Sequence, residues 1–138
     1  MNQTLERLIG QLIIAGFRGS NAAPDSPIAN FIKDYNLAGV ILYDEDVKIG
    51  GLGSRNIQSP IQVKDLSDQL QSFSKQGLLI SIDQEGGGTN RLKSNYGFPE
   101  TPSWNHMGHL DNDLMTLQFS QTIASTLNDC GINVNFAP

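Results

Sequence analysis

The 138-residue sequence holds one cysteine and one tryptophan, and only nine Lys and Arg against fourteen Asp and Glu. The single thiol, Cys130, excludes an intrachain disulfide and suits a reducing compartment. Between Leu127 and Ile132 it reads as a buried small apolar residue and not as a nucleophile. A net charge of −5 provides no basic face for nucleic acid or an anionic membrane surface. No apolar run approaches the roughly 20 residues of a membrane-spanning helix. The start of the chain does not read as a signal peptide, because Glu6, Arg7, Gly10 and Gln11 interrupt its apolar residues. The expected protein is cytoplasmic, with neither nucleic acid nor membrane as partner.

What is present is ordinary for one globular domain: 38% hydrophobic residues, with six Phe and three Tyr to pack. Four short apolar runs, at residues 12–15, 39–43, 78–82 and 133–137, read as strands. The first is continuous enough to suggest burial on both faces. Between them lie helical patterns. Ser26-Pro27 and Ser59-Pro60 each place a cap before a proline at the first helical position, and Gln62 is placed to complete a capping box. Ile28, Phe31, Ile32 and Tyr35 make one stripe; Val63, Leu66, Leu70 and Phe73 make another, stopped by Gly77. A last helix from about Asp111 shows a stripe of Leu114, Leu117, Ile123 and Leu127 and ends at Gly131.

With a short helix near Leu5 in front, the order is βαβαβαβ, which implies an α/β fold with a parallel sheet. Two connections are long, residues 44–58 and 83–110, and both follow the carboxyl end of a strand, where such folds build their sites. The chain also stops directly after a strand, with no covering helix. A lone four-stranded sheet would expose an apolar edge. The expectation is therefore the first half of a (β/α)8 barrel, with residues 1–138 forming the N-terminal part of one barrel domain.

The chemistry concentrates at Asp83-Gln84-Glu85-Gly86-Gly87-Gly88-Thr89-Asn90-Arg91. Asp83 follows a strand directly, and Glu85 shares its side if the chain stays extended. Gly86, Gly87 and Gly88 permit positive φ and close approach of backbone N–H groups to a ligand. Arg91 adds a planar donor fork. Together these can grip a sugar's hydroxyls. A glycine turn flanked by a structural Asp–Arg pair is the plainer alternative. A phosphate-binding loop through Gly86–Gly88 is a third, although the segment lacks GxGxxG and the Lys-Ser/Thr ending. His106 and His109 lack a carboxylate or thiol to complete a metal set. Trp104, near Pro102, reads as a packing residue, and residue spacing does not make Asp83 and Glu85 a catalytic carboxylate pair.

The string DQEGGGTNRL resembles the signature DQEGGRVxRL of glycoside hydrolase family 3, in its bacterial β-N-acetylglucosaminidase branch. LIGQLIIAGFRG, AGVILY, RNIQSPIQVKDLSDQLQ and GINVNFAP follow the family's order. The resemblance implies a retaining hydrolase that releases terminal β-linked N-acetylglucosamine, including from muropeptide fragments, with no cofactor or metal. It makes Asp83 a ligand for sugar hydroxyls and Arg91 a second sugar contact, with Glu85, Gly86 and Gly87 as further candidates. It places the aspartate nucleophile, the acid/base histidine and a lysine-histidine motif beyond Pro138, so these 138 residues alone are expected to be inactive. A non-catalytic sugar-binding relative is the other outcome. Two departures stand out. Gly88 replaces the usual arginine. The stretch running from Asp44 to Gly53 is an apparent insertion, expected to decorate the surface and not to cap the site.

Overall fold

A computed structural model describes residues 4–137. The elements are α1 (Leu5–Gly10), β1 (Ile14–Gly16), α2 (Pro27–Tyr35), β2 (Gly39–Ile41), α3 (Pro60–Phe73), β3 (Leu79–Ile82), α4 (Trp104–Leu110), α5 (Asp113–Asp129) and β4 (Val134–Asn135). The four strands form one parallel sheet in the order β1-β2-β3-β4. Each strand thus pairs with its predecessor in the chain across a helical connection, the arrangement of the first half of a (β/α)8 barrel.

The cap signals act as their residue types require. Ser26 Oγ accepts the Ala29 N–H at 3.3 Å and Ser59 Oγ accepts that of Gln62 at 3.2 Å. The Gln62 side chain reaches one residue further back than a capping box, to the Gln58 N–H at 2.8 Å. Its amide then donates to Ser20 and Asn56 carbonyls at 2.7 and 3.0 Å, tying the two preceding loops to α3.

Strand alternation sorts the sheet into two faces. Val40, Leu42, Ile80 and Ile82 are fully buried and pack with Ile32, Val63, Leu66, Leu70, Ile123 and Leu127 of the helices. Gly39, Ile41 and Tyr43 of one strand, and Leu79, Ser81 and Asp83 of the next, line the opposite face. Because Ile41 pairs with Ser81, Tyr43 and Asp83 fall at the same level just past the strand ends.

Two expectations need correction. Leu12 and Ile13 are exposed, not buried on both faces. They lie in the turn that closes α1, through Leu12 N–H to Ile9 and Ile13 N–H to Gly10, and β1 is an edge strand beginning only at Ile14. Leu114 and Leu117 are also exposed, whereas Ile123 and Leu127 are buried. The front half of α5, which carries Leu114 and Leu117, is uncovered by the described residues, and the half with Ile123 and Leu127 packs on the core. Its start also differs: Asn112 caps it, and Asp111 (φ +45°) ends α4, a helix the sequence pattern does not announce.

Candidate functional site at the carboxyl end of the sheet

The parallel order brings Arg18, Tyr43, Asp44 and Asp83, each just beyond a strand, to one end of the sheet. Asp83 is held there by its neighbour. Gln84 is buried and exchanges two hydrogen bonds with Asn135 of β4: its N–H donates at 2.9 Å and its carbonyl accepts at 3.1 Å. The Gln84 side chain then organises the loop that follows. Its Oε1 accepts the Arg91 and Leu92 N–H groups at 3.0 and 2.9 Å, and its Nε2 donates to Asn90 at 2.7 Å. A residue directly after Asp83 thus folds the chain back so that Arg91 returns beside it, with Nη2 3.4 Å from the Asp83 carboxylate.

The glycines make this return possible, though for a different reason than close approach to a ligand. Residues 85–89 form a tight hairpin, closed by the Glu85 N–H to Thr89 at 2.9 Å. Gly86 has φ +81° and is packed so that an added Cβ would lie 2.2 Å from the Pro102 carbonyl oxygen. At Gly87, with φ +59°, a Cβ would meet the Ser103 Cβ at 2.5 Å. The Gly87 N–H is already used by the Thr101 carbonyl at 3.1 Å, so the hairpin is docked on residues 101–103 and is not an open phosphate cradle. Gly88 is different: an added Cβ there would meet nothing within 4 Å.

The stretch from Asp44 to Gly53 is not surface decoration at its root. Asp44 and Asp46 are each 1% exposed. Buried carboxylates require partners, and both have them. Asp44 receives Lys93 Nζ at 2.5 Å and the Tyr96 hydroxyl at 3.5 Å, with Arg91 Nη1 3.7 Å away. Asp46 is gripped by Arg18, whose Nε and Nη2 both face it, and this pairing holds its carboxyl well below the usual range, at about 2. The hydrogen bonds that Lys93 donates to Asp44 and Glu45 raise its ammonium, and burial raises the Tyr96 phenol. Arg91 and Arg55 both lie against the Tyr43 ring, at 5.4 and 4.8 Å from its centre. Glu45 and residues 47–52, with Val47, Ile49 and Leu52 among them, are exposed.

Other singled-out residues fall away from this cluster. Glu85 is half-buried and opens the hairpin. His106 and His109 are exposed on α4, His109 facing its own Asn105 carbonyl at 2.8 Å. Trp104 packs against the core. Cys130 is buried, and that burial pushes its thiol up to about 11. Among the described residues no three metal-ligating side chains come together, and no helix is long and apolar enough to cross a membrane.

The frame and the loop have counterparts elsewhere. The family model for the glycosyl hydrolase family 3 N-terminal domain matches residues 4–138. The chain belongs to glycosyl hydrolase family 3. A family 3 β-N-acetylglucosaminidase from Paenibacillus sp. str. FPU-7 superimposes with a TM-score of 0.82 and 34% identity, over 99% of this chain and 24% of that one. A β-hexosaminidase A from Pseudoalteromonas piscicida is 28% identical over 98% of this chain and 24% of its own length. A NagZ from Neisseria gonorrhoeae, in complex with N-trifluoroacetyl-D-glucosamine, superimposes with a TM-score of 0.72 at 25% identity, over 91% of this chain and 35% of that one. The family 3 chain thus spans about a quarter of the length of the curated relatives it matches.

Sequence reasoning singled out Asp83 and Arg91, and the structure brings them together. It did not find Gln84, Tyr43, Asp44, Lys93 or Tyr96. Gln84 carried a signal, a polar residue between a strand end and a glycine run. Tyr43 and Asp44 lie far from Arg91 in the chain, whereas Lys93 and Tyr96 follow it by two and five residues with no pattern to single them out.

Proposed function

We propose that the protein carrying this chain is a retaining β-N-acetylhexosaminidase that removes terminal β-linked N-acetylglucosamine, and that Asp83 and Arg91 form one wall of its sugar subsite. One observation carries the proposal: in a family 3 frame, a carboxylate and a guanidinium meet at 3.4 Å at the carboxyl end of β3, both part-exposed. A carboxylate accepts hydrogen bonds from two adjacent sugar hydroxyls, and the guanidinium beside it donates to a hydroxyl or to the acetamido carbonyl. The relatives named for β-hexosaminidase and β-N-acetylglucosaminidase activity support this substrate class. Residues 1–138 then make the N-terminal part of one barrel domain, whose remaining strands cover the exposed sheet edges and supply the nucleophile and acid/base that retention needs. Muropeptide fragments and a cytoplasmic setting complete the proposal.

The test is hydrolysis of 4-nitrophenyl N-acetyl-β-D-glucosaminide by the whole protein. Asp83→Ala and Arg91→Ala should each lower kcat/KM by about 100-fold or more, the scale for removing a buried hydrogen-bonding partner of a substrate. Wild-type rates in both variants, or a preference for the glucoside over the N-acetylglucosaminide, would overturn the proposal.

A further inference from the structure

The two acids beside Arg91 have unequal positions. Asp83 is a quarter exposed, whereas Asp44 is closed off at the root of its loop. Asp44 Oδ2 takes Lys93 at 2.5 Å, but its Oδ1 is buried with no hydrogen-bond donor among the described residues and faces Arg91 Nη1 at 3.7 Å. Arg91 Nε is likewise buried without an acceptor. The guanidinium is therefore shared, one terminal nitrogen toward each carboxylate, with its central carbon over the Tyr43 ring.

This sharing has a chemical consequence. A guanidinium with a single carboxylate neighbour closes into a two-bond fork and occupies both oxygens. Were Asp83 the only acid within reach, Arg91 would occupy the oxygens a sugar hydroxyl needs. Lys93 is held by Glu45 at 2.6 Å as well, so the sharing of Arg91 is what Asp44 alone supplies. We propose that Asp44 is a positioning residue: by holding Arg91 back, it keeps the Asp83 carboxylate open to the sugar. The inference rests on the reading of Asp83 and Arg91 as sugar contacts, and it gives the root of the 44–53 stretch a part in substrate affinity.

The experiment measures KM and kcat of the whole protein on 4-nitrophenyl N-acetyl-β-D-glucosaminide, with thermal denaturation alongside. Asp44→Asn should raise KM about tenfold and leave kcat within about twofold, the pattern of lost binding common to ground and transition states. Asp44→Glu, which keeps the charge, should return KM to within about threefold of wild type, and it carries the test if the asparagine variant does not fold. In an Arg91→Ala background, Asp44→Asn should add less than about twofold to the loss, because the residue acts through Arg91. A wild-type KM in Asp44→Asn, a glutamate variant as impaired as the asparagine one, or full multiplication of the two losses overturns the inference. If Asp83→Ala and Arg91→Ala lose affinity while Asp44→Asn does not, this inference alone fails. If neither loses affinity, the sugar-contact reading fails and takes this inference with it.

Discussion

Replacing Gly86 with alanine separates two explanations of the glycine run. At φ +81° an L-residue costs about 1–2 kcal/mol relative to glycine. The new Cβ would lie 2.2 Å from the Pro102 oxygen, so hairpin and residues 101–103 must part by about an ångström, an overpacking penalty of about 1–3 kcal/mol. Alanine also reduces the freedom of the unfolded chain, which offsets about 0.5–1 kcal/mol. The net expectation is a loss of about 1–4 kcal/mol, read as a lower urea midpoint with unchanged slope. Gly88→Ala meets open space and should stay within about 0.5 kcal/mol of wild type. Equal losses at the two positions would refute the packing account. A Gly88 variant that keeps its stability but no longer binds sugar would show that the run exists for backbone approach to a ligand after all.

Two further predictions follow from ionisation. Asp46, held at about 2 against an ordinary 3.8, contributes stability that is fully present above about pH 4 and lost as pH falls toward 2. Asp46→Asn should flatten that part of the acid denaturation profile. The Cys130 thiol, raised from 9.0 to about 11, contributes stability present below pH 9 and lost between pH 9 and 11. It should react with a thiol reagent at pH 8 only on unfolding, so rapid labelling of the native protein would contradict its burial.

The fold was legible because its signals are local. Ser26 and Ser59 before prolines mark helix starts, and the apolar runs at residues 39–43 and 78–82 are too short for helices and contain β-branched residues. Helix α4 escaped because its seven residues bury only Met107, leaving no stripe to detect. The burial of Leu114 and Leu117 was misjudged because periodicity reports which face is apolar, not whether another element covers it. Within the site, Asp83 and Arg91 are eight apart, and the turn between them was announced by glycine. What the glycines pack against was not, since Pro102 and Ser103 approach from another part of the long connection. Side-chain brackets such as Asn135 to Gln84 span 51 residues and leave no local pattern. The acidic root of the 44–53 stretch looked like surface charge because its partners, Arg18, Arg91 and Lys93, converge only through the sheet.

The most direct measurement is a crystal structure of the whole protein with N-acetylglucosamine bound. The sugar's hydroxyls should lie within about 3 Å of the Asp83 carboxylate and the Arg91 guanidinium, with Arg91 still shared with Asp44. A sugar bound at the sheet's carboxyl end with neither Asp83 nor Arg91 in hydrogen-bond contact would contradict the account.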